Sequence, residues 1–213
     1  MRIPLLESSR SHGKSAFSIL ELLVVIAIGS VMMVLLIPAF NSLGKAQLLN
    51  AEGNKFVNLI NLAGQNSAAK NAMTALIAVP GSSTNVAGFG LFEYVPEGSG
   101  WKQVSKWETL KDGIVAYYPN PTNKFTDYPA AIPPIQDFPG ITYRGKAITA
   151  FQYLIFLPSR SLLQSTNAQL QLAEGFAASG PITFTRPAAG GGPANYYKVT
   201  VVAASGHPKI DRP

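Results

Sequence analysis

From Phe17 to Phe40 the chain reads FSILELLVVIAIGSVMMVLLIPAF, an apolar run that carries a single charge, Glu21. At a rise of about 1.5 Å per residue the run makes about 36 Å of helix, enough to cross a hydrocarbon core about 30 Å thick. A charged side chain inside a bilayer costs roughly 2.5–3.5 kcal/mol even on the gentler insertion scales. Glu21 therefore needs a partner or a task. Before the run, residues 1–16 carry Arg2, Arg10 and Lys14 against Glu7, and after it the next charge is Lys45. That asymmetry predicts a cytoplasmic N-terminus and export of everything beyond residue 41. A secretory signal peptide, with an apolar core of roughly 7–15 residues and a small-x-small cleavage site, is too short to account for the run. A plain signal anchor explains its length and flanking charges but leaves Glu21 and Pro38 without a reason.

Composition limits the rest of the chain. With 213 residues, 47% of them hydrophobic and 13% charged, there is material for one membrane-length segment and one modest domain. The formal charge of +6 comes from 17 Lys and Arg residues scattered without any run of three, which predicts no nucleic-acid partner. There is no cysteine, which removes disulfides, thiol catalysis and Cys-based zinc sites. With only His12 and His207, a His-rich metal site is excluded too. No cofactor is expected.

The stretch Ala16-Phe17-Ser18-Ile19-Leu20-Glu21-Leu22-Leu23-Val24-Val25-Ile26-Ala27-Ile28 resembles the prepilin-type cleavage and methylation motif of type IV pilins and type II secretion pseudopilins. In that family a short basic leader is removed just before an aromatic residue, usually Phe, and a Glu lies four residues further on. The resemblance implies a cut between Ala16 and Phe17, N-methylation of Phe17, and a helix-breaking proline at the place Pro38 occupies. The family's residue before the cut is usually Gly; here it is Ala16, the next smallest, with Gly13 upstream. A cut there creates an α-amino group with a reference pKa near 8, cationic at neutral pH. The resemblance further implies that the Glu21 carboxylate docks on the terminal amine of a neighbouring subunit as subunits enter a filament. In a low-dielectric bundle of helices, the penalty on an unpaired carboxylate then selects the axial register. The partners implied are a prepilin peptidase and methyltransferase, other pilin-like subunits met through the N-terminal helices, and an inner-membrane assembly platform.

Pro38 cannot donate a backbone hydrogen bond to the carbonyl of Val34, so a kink or loosened turn is expected there. From Asn41 to about Ala72 the apolar residues Leu49, Phe56, Leu59, Ile60 and Ala63 recur near helical spacing, which predicts an amphipathic continuation of the helix with a stripe that needs a sheet to cover. Gly44, Gly53 and Gly64 weaken its intrinsic propensity, so packing must hold it. Beyond Pro80-Gly81 short β-rich runs alternate with Gly, Pro, Asn and Ser clusters. Strands are expected at Ala75–Val79, Gly90–Val95, Ile114–Tyr118, Ala150–Leu157, Pro181–Thr185 and Tyr196–Ala203, with a short one at Pro208–Ile210. Leu162–Glu174 reads as a short helix, and the proline-rich Asn120–Gly140 as irregular loop. The organisation expected is a leader over 1–16, a transmembrane and filament-core helix over 17–40, an amphipathic helix over 41–73 and an exported β-rich domain over 74–213. The fold class is α+β, one long helix packed on an antiparallel sheet, the arrangement pilin-like proteins share. The end of the chain, Tyr196–Val201 followed by Gly206-His207-Pro208-Lys209-Ile210, resembles the final hairpin of minor pseudopilins. It is also similar to the pilin-like proteins encoded in gene cassettes of Verrucomicrobia.

Patterns that would mark an enzyme are missing from the sequence. Gly190-Gly191-Gly192 has no following Lys-Ser/Thr and reads as a hairpin, not a phosphate cradle. Asp127 and Asp137 offer carboxylates for calcium but lack a tight DxDxD spacing. Trp101, Trp107 and the pairs Tyr117-Tyr118 and Tyr196-Tyr197 are core or cross-strand candidates before they are ligand platforms. His207, beside Pro208 in a turn, reads as solvated and inert. The expectation is a structural filament subunit, a minor pseudopilin in type, anchored in the inner membrane with its domain in the periplasm. The alternative is a membrane-anchored exported binding module for a glycan or a secreted partner.

Overall fold

The structure, a computed structural model, describes residues 18–81, 85–97, 100–128, 138, 140–177 and 181–213, the side chains of 35–43 excepted. The chain divides into two compact units, Met1–Ser42 and Leu43–Pro213. The helix α1 spans Ile19–Ala69, 51 residues. In the first unit its described side chains are exposed on every side.

In the second unit the described residues after α1 form thirteen strands. They are β1 (Thr74–Pro80), β2 (Asn85–Val95), β3 (Gly100–Gln103), β4 (Glu108–Thr109), β5 (Ile114–Tyr117), β6 (Thr126–Tyr128), β7 (Ile141–Tyr143), β8 (Lys146–Ile148), β9 (Phe151–Phe156), β10 (Ala168–Phe176), β11 (Thr183–Phe184), β12 (Tyr196–Val201) and β13 (Pro208–Asp211). Eleven join one sheet in the order β13-β12-β10-β5-β2-β1-β9-β6, with β3 and β4 on β2 and β11 on β10. All its pairings are antiparallel. β7 and β8 form a separate hairpin.

β1 explains how the layers stack. Its residues Ala75 to Val79 form an unbroken apolar run and all are buried, the pattern of a strand covered on both faces. Leu76 and Ala78 pack with Leu49, Phe56, Leu59, Ile60 and Ala63 of α1 in the main core. Ala75 and Ile77, on the opposite face, pack with Phe92, Trp101, Ile141, Phe151, Tyr153 and Ile155 in a second core. The amphipathic stripe of the helix thus meets the sheet it required. The far face of that sheet, instead of meeting water, is covered by an aromatic layer to which the β7–β8 hairpin contributes.

Three expectations are corrected. Leu162–Glu174 is not a helix: Ala168–Phe176 is strand β10, hydrogen-bonded between β5 and β12 in the interior of the sheet. Gln, Leu, Ala and Glu all favour helix intrinsically, but here Ala168, Leu170 and Leu172 alternate with Gln169, Gln171 and Ala173, and burial on both faces decides for strand. β2 begins at Asn85, well before Gly90, because Gly88 lies inside it opposite Thr109. The strand expected at Pro181–Thr185 is reduced to Thr183–Phe184. Within the proline-rich stretch, Pro121–Asn123 forms a 3-10 turn capped by Asn120, whose Oδ1 accepts from the Thr122 N–H, and Thr126–Tyr128 adds the edge strand β6.

Candidate functional site

Ala16 and Phe17, the expected cleavage and methylation positions, lie outside the described residues, and the expected docking carboxylate lies just within them. Ser18 precedes the helix and Glu21 stands in its first turn. The Glu21 N–H donates to Ser18 Oγ at 3.1 Å, and the Ser18 N–H donates to Glu21 Oε2 at 3.3 Å. Two N–H groups that a helix start leaves without intrahelical partners are satisfied reciprocally in this capping box. The negative carboxylate also sits at the end of the helix dipole that favours it. The signal for this cap is the spacing Ser18-x-x-Glu21, which hydropathy and charge asymmetry pass over.

From Leu22 to Val34 the helix is apolar but for Ser30. Over Ile19 to Val34 the relative exposures of the large apolar side chains run from 48% at Val24 to 81% at Ile19. A helix without a polar face is stable only when lipid or other helices cover it. The one other polar side chain between Leu22 and Val34, Ser30, turns its hydroxyl inward and donates to the Ile26 carbonyl at 2.7 Å, so it asks nothing of a partner. Among the described residues no helix is long and apolar enough to cross a membrane. The stretch whose side chains are described, Ser18 to Val34, amounts to about 25 Å of rise against a core of about 30 Å. Pro38 lies within α1, and its side chain lies outside the described residues.

The second half of α1 is fixed to the domain by close contacts. Gly53 lies against the Tyr197 ring, and a Cβ at that position would stand 2.3 Å from Tyr197 Cδ2. The Tyr197 hydroxyl donates to Asn54 Oδ1 at 2.8 Å, and Arg212 lies over the same ring at 4.2 Å. Glu52, next to Gly53 in the chain, is 5% exposed. Lys55 bridges to Glu108 Oε2 at 2.7 Å and to the Thr109 carbonyl at 3.2 Å, while Glu52 Oε2 is 4.0 Å from the same ammonium. These groups tie β4 to the helix.

The remaining candidates resolve as packing. Trp101 is buried and stacks on Phe138 at 4.7 Å, and Trp107 lies edge-on to Tyr143 on the far face. Asp127 pairs with Lys124 and accepts from Gln152 Nε2 at 3.3 Å; Asp137 lies outside the described residues. Among the described residues no three potential metal ligands gather. Gly190 to Gly192 close a tight hairpin in which the Ala188 N–H donates to the Gly192 carbonyl at 2.7 Å.

No protein-family model matches the chain, and no curated protein matches it. Among solved structures it is similar to the type IV minor pilin FimU of Pseudomonas aeruginosa, with 10% identity and a TM-score of 0.45 over 78% of this chain and 92% of that one. It is likewise similar to the minor pseudopilin EpsH of the type II secretion system of Vibrio cholerae, with 10% identity and a TM-score of 0.42 over 78% of this chain and 95% of that one. Likenesses this distant leave the function to be read from the chain's own residues.

Proposed function

We propose that this chain is a pilin-like filament subunit, a minor pseudopilin in type, which assembles through its N-terminal helix and is structural, not catalytic. The observation that carries this reading is the placement of Glu21: one carboxylate in the first turn of a helix whose other large side chains, as far as Val34, are apolar and exposed on every side. Such a surface requires lipid before assembly and neighbouring helices after it. In this reading residues 17–40 hold the subunit in the inner membrane, with the N-terminus cytoplasmic and the domain in the periplasm. A prepilin peptidase removes residues 1–16, a methyltransferase caps Phe17, and the assembly platform moves the subunit into the filament. Pro38 loosens the helix for that transfer. The Glu21 carboxylate exchanges its contact with the Ser18 N–H for the charged amine of a neighbour, so that a neutral donor is replaced by a cationic one.

Mass spectrometry of the mature N-terminus, on chain taken from the membrane of a host with a prepilin peptidase, tests the proposal. The expected product begins at N-methylated Phe17. A chain that keeps Met1 overturns the processing step and favours the alternative, a membrane-anchored exported binding module.

A further inference from the structure

The far face of the sheet carries a second constellation, remote in the chain from Glu21. On that face of β2, Gly88 and Gly90 leave the backbone bare: a Cβ on Gly90 would stand 2.7 Å from Trp107, and one on Gly88 would stand 3.1 Å from Tyr143. The two rings fill the space, edge to face with centroids 5.4 Å apart. Both are held by their polar ends, Trp107 Nε1–H donating to the Thr142 carbonyl at 2.9 Å and the Tyr143 hydroxyl to the Ala87 carbonyl at 3.1 Å. Phe92 backs Trp107 at 5.8 Å. The result is a fixed pair of half-buried aromatic rings.

Cations border this platform. The β7–β8 hairpin turns at Arg144-Gly145, with φ of 51° and 76°. The turn carries the Arg144 guanidinium over the Tyr143 ring at 5.4 Å and sets Lys146 directly across from Tyr143. Lys106 precedes Trp107 in the chain, and all three cations are exposed. Among the described residues none of them joins an ion pair, and Glu108, next to Trp107 in the chain, is committed to Lys55.

We propose that Trp107, Tyr143, Arg144 and Lys146 form a binding site for an acidic sugar residue, a pyranose ring bearing a carboxylate, within an acidic polysaccharide. The sugar ring lies on the exposed part of the aromatic pair, as apolar C–H faces do on fixed rings. The carboxylate bonds the forked guanidinium of Arg144 and the Lys146 ammonium. Nucleic acid fits less well, because its affinity grows with the number of phosphates neutralised and three cations around one short hairpin supply few. The site uses no residue of the N-terminal helix and stands whether or not the chain assembles into filaments.

The test uses the full chain in detergent micelles with oligomannuronate as probe, uncharged cellohexaose as control and a ten-residue oligothymidylate as rival. The protein has two tryptophans and Trp101 is buried, so a ligand-dependent change in tryptophan fluorescence reports Trp107. Oligomannuronate is expected to give a saturable change and cellohexaose none at equal concentration. Arg144→Asn with Lys146→Gln is expected to weaken binding at least about tenfold. Asn tolerates positive φ, and Lys146→Gln alone serves as the variant outside the turn. No saturable change with oligomannuronate, unaltered affinity in these variants, equal binding of cellohexaose, or tighter binding of the oligothymidylate overturns the proposal.

Discussion

Gly53 and Tyr197 meet so closely that the helix has room there for a hydrogen and nothing larger: a Cβ would stand 2.3 Å from the ring. Tyr197 is fully buried in the main core, on the strand next to the sheet edge. A glycine that weakens the helix locally is thus the residue that lets helix and sheet approach.

Replacing Gly53 by Ala should therefore destabilise the domain by about 1–3 kcal/mol, the cost of overpacking, despite the better helix propensity of Ala. Gly44 has nothing within 4 Å of where a Cβ would stand, so Gly44→Ala should stabilise by roughly 0.5–1 kcal/mol. Urea unfolding of the two variants beside the parent checks both signs.

Tyr197→Phe keeps the ring against Gly53 and removes the hydroxyl that donates to Asn54 at 2.8 Å. The expected loss is about 0.5–1.5 kcal/mol, the net worth of one such hydrogen bond. The same unfolding measurement applies, and a larger loss would mean that Asn54 also needs that donor to hold Arg212, which lies 3.4 Å away.

Gly206 closes the turn before β13 with φ of 64°, and a Cβ there would stand 2.0 Å from the Arg160 carbonyl oxygen. Backbone on both sides of the contact leaves nothing to yield. Gly206→Ala should cost more than Gly53→Ala, and should release β13 first, seen as early amide exchange at Lys209 to Asp211.

β13 is also held by the pair of half-buried Lys198 and exposed Asp211, whose charged atoms are 2.5 Å apart. The hydrogen bond with Lys198, then its charge, hold the Asp211 carboxyl below its ordinary 3.8, and the same hydrogen bond raises the Lys198 ammonium above its ordinary 10.5. Asp211 therefore adds stability above pH 3.8 that is lost as pH falls through its lowered value. Lys198 adds stability below pH 10.5 that is lost as pH rises through its raised value. Asp211→Asn should flatten the acid limb of the thermal stability profile, by a small amount because Asp211 is exposed.

Much of this fold is visible in the order of residues, and what is hidden has physical causes. The spacing of Leu49, Phe56, Leu59, Ile60 and Ala63 marks the buried helix stripe, and the run Ala75–Val79 marks a strand covered on both faces. β10 is hidden because its residues prefer helix in isolation and only its neighbours β5 and β12 make it a strand. The sequence reads as strand only from Gly90, and the start of β2 is hidden by Gly88, which has no side chain to mark it as strand; the structure uses Gly88 and Gly90 as seats for Tyr143 and Trp107. The far-face core depends on contacts between Phe92, Trp101 and Phe138, distant in the chain, that no local pattern announces. In α1 as far as Val34, periodicity says little because the helix is apolar all round there, while the spacing of Ser18 and Glu21 says most.

The role of the Glu21 carboxylate is tested most directly by Glu21→Ala in the full chain. The assay compares the subunit recovered in the membrane with that recovered in sheared or cross-linked filaments, in a host that assembles them. A docking carboxylate predicts parental amounts in the membrane, with Phe17 still exposed by cleavage, and no subunit in filaments. Incorporation of the variant at the parental level would contradict it.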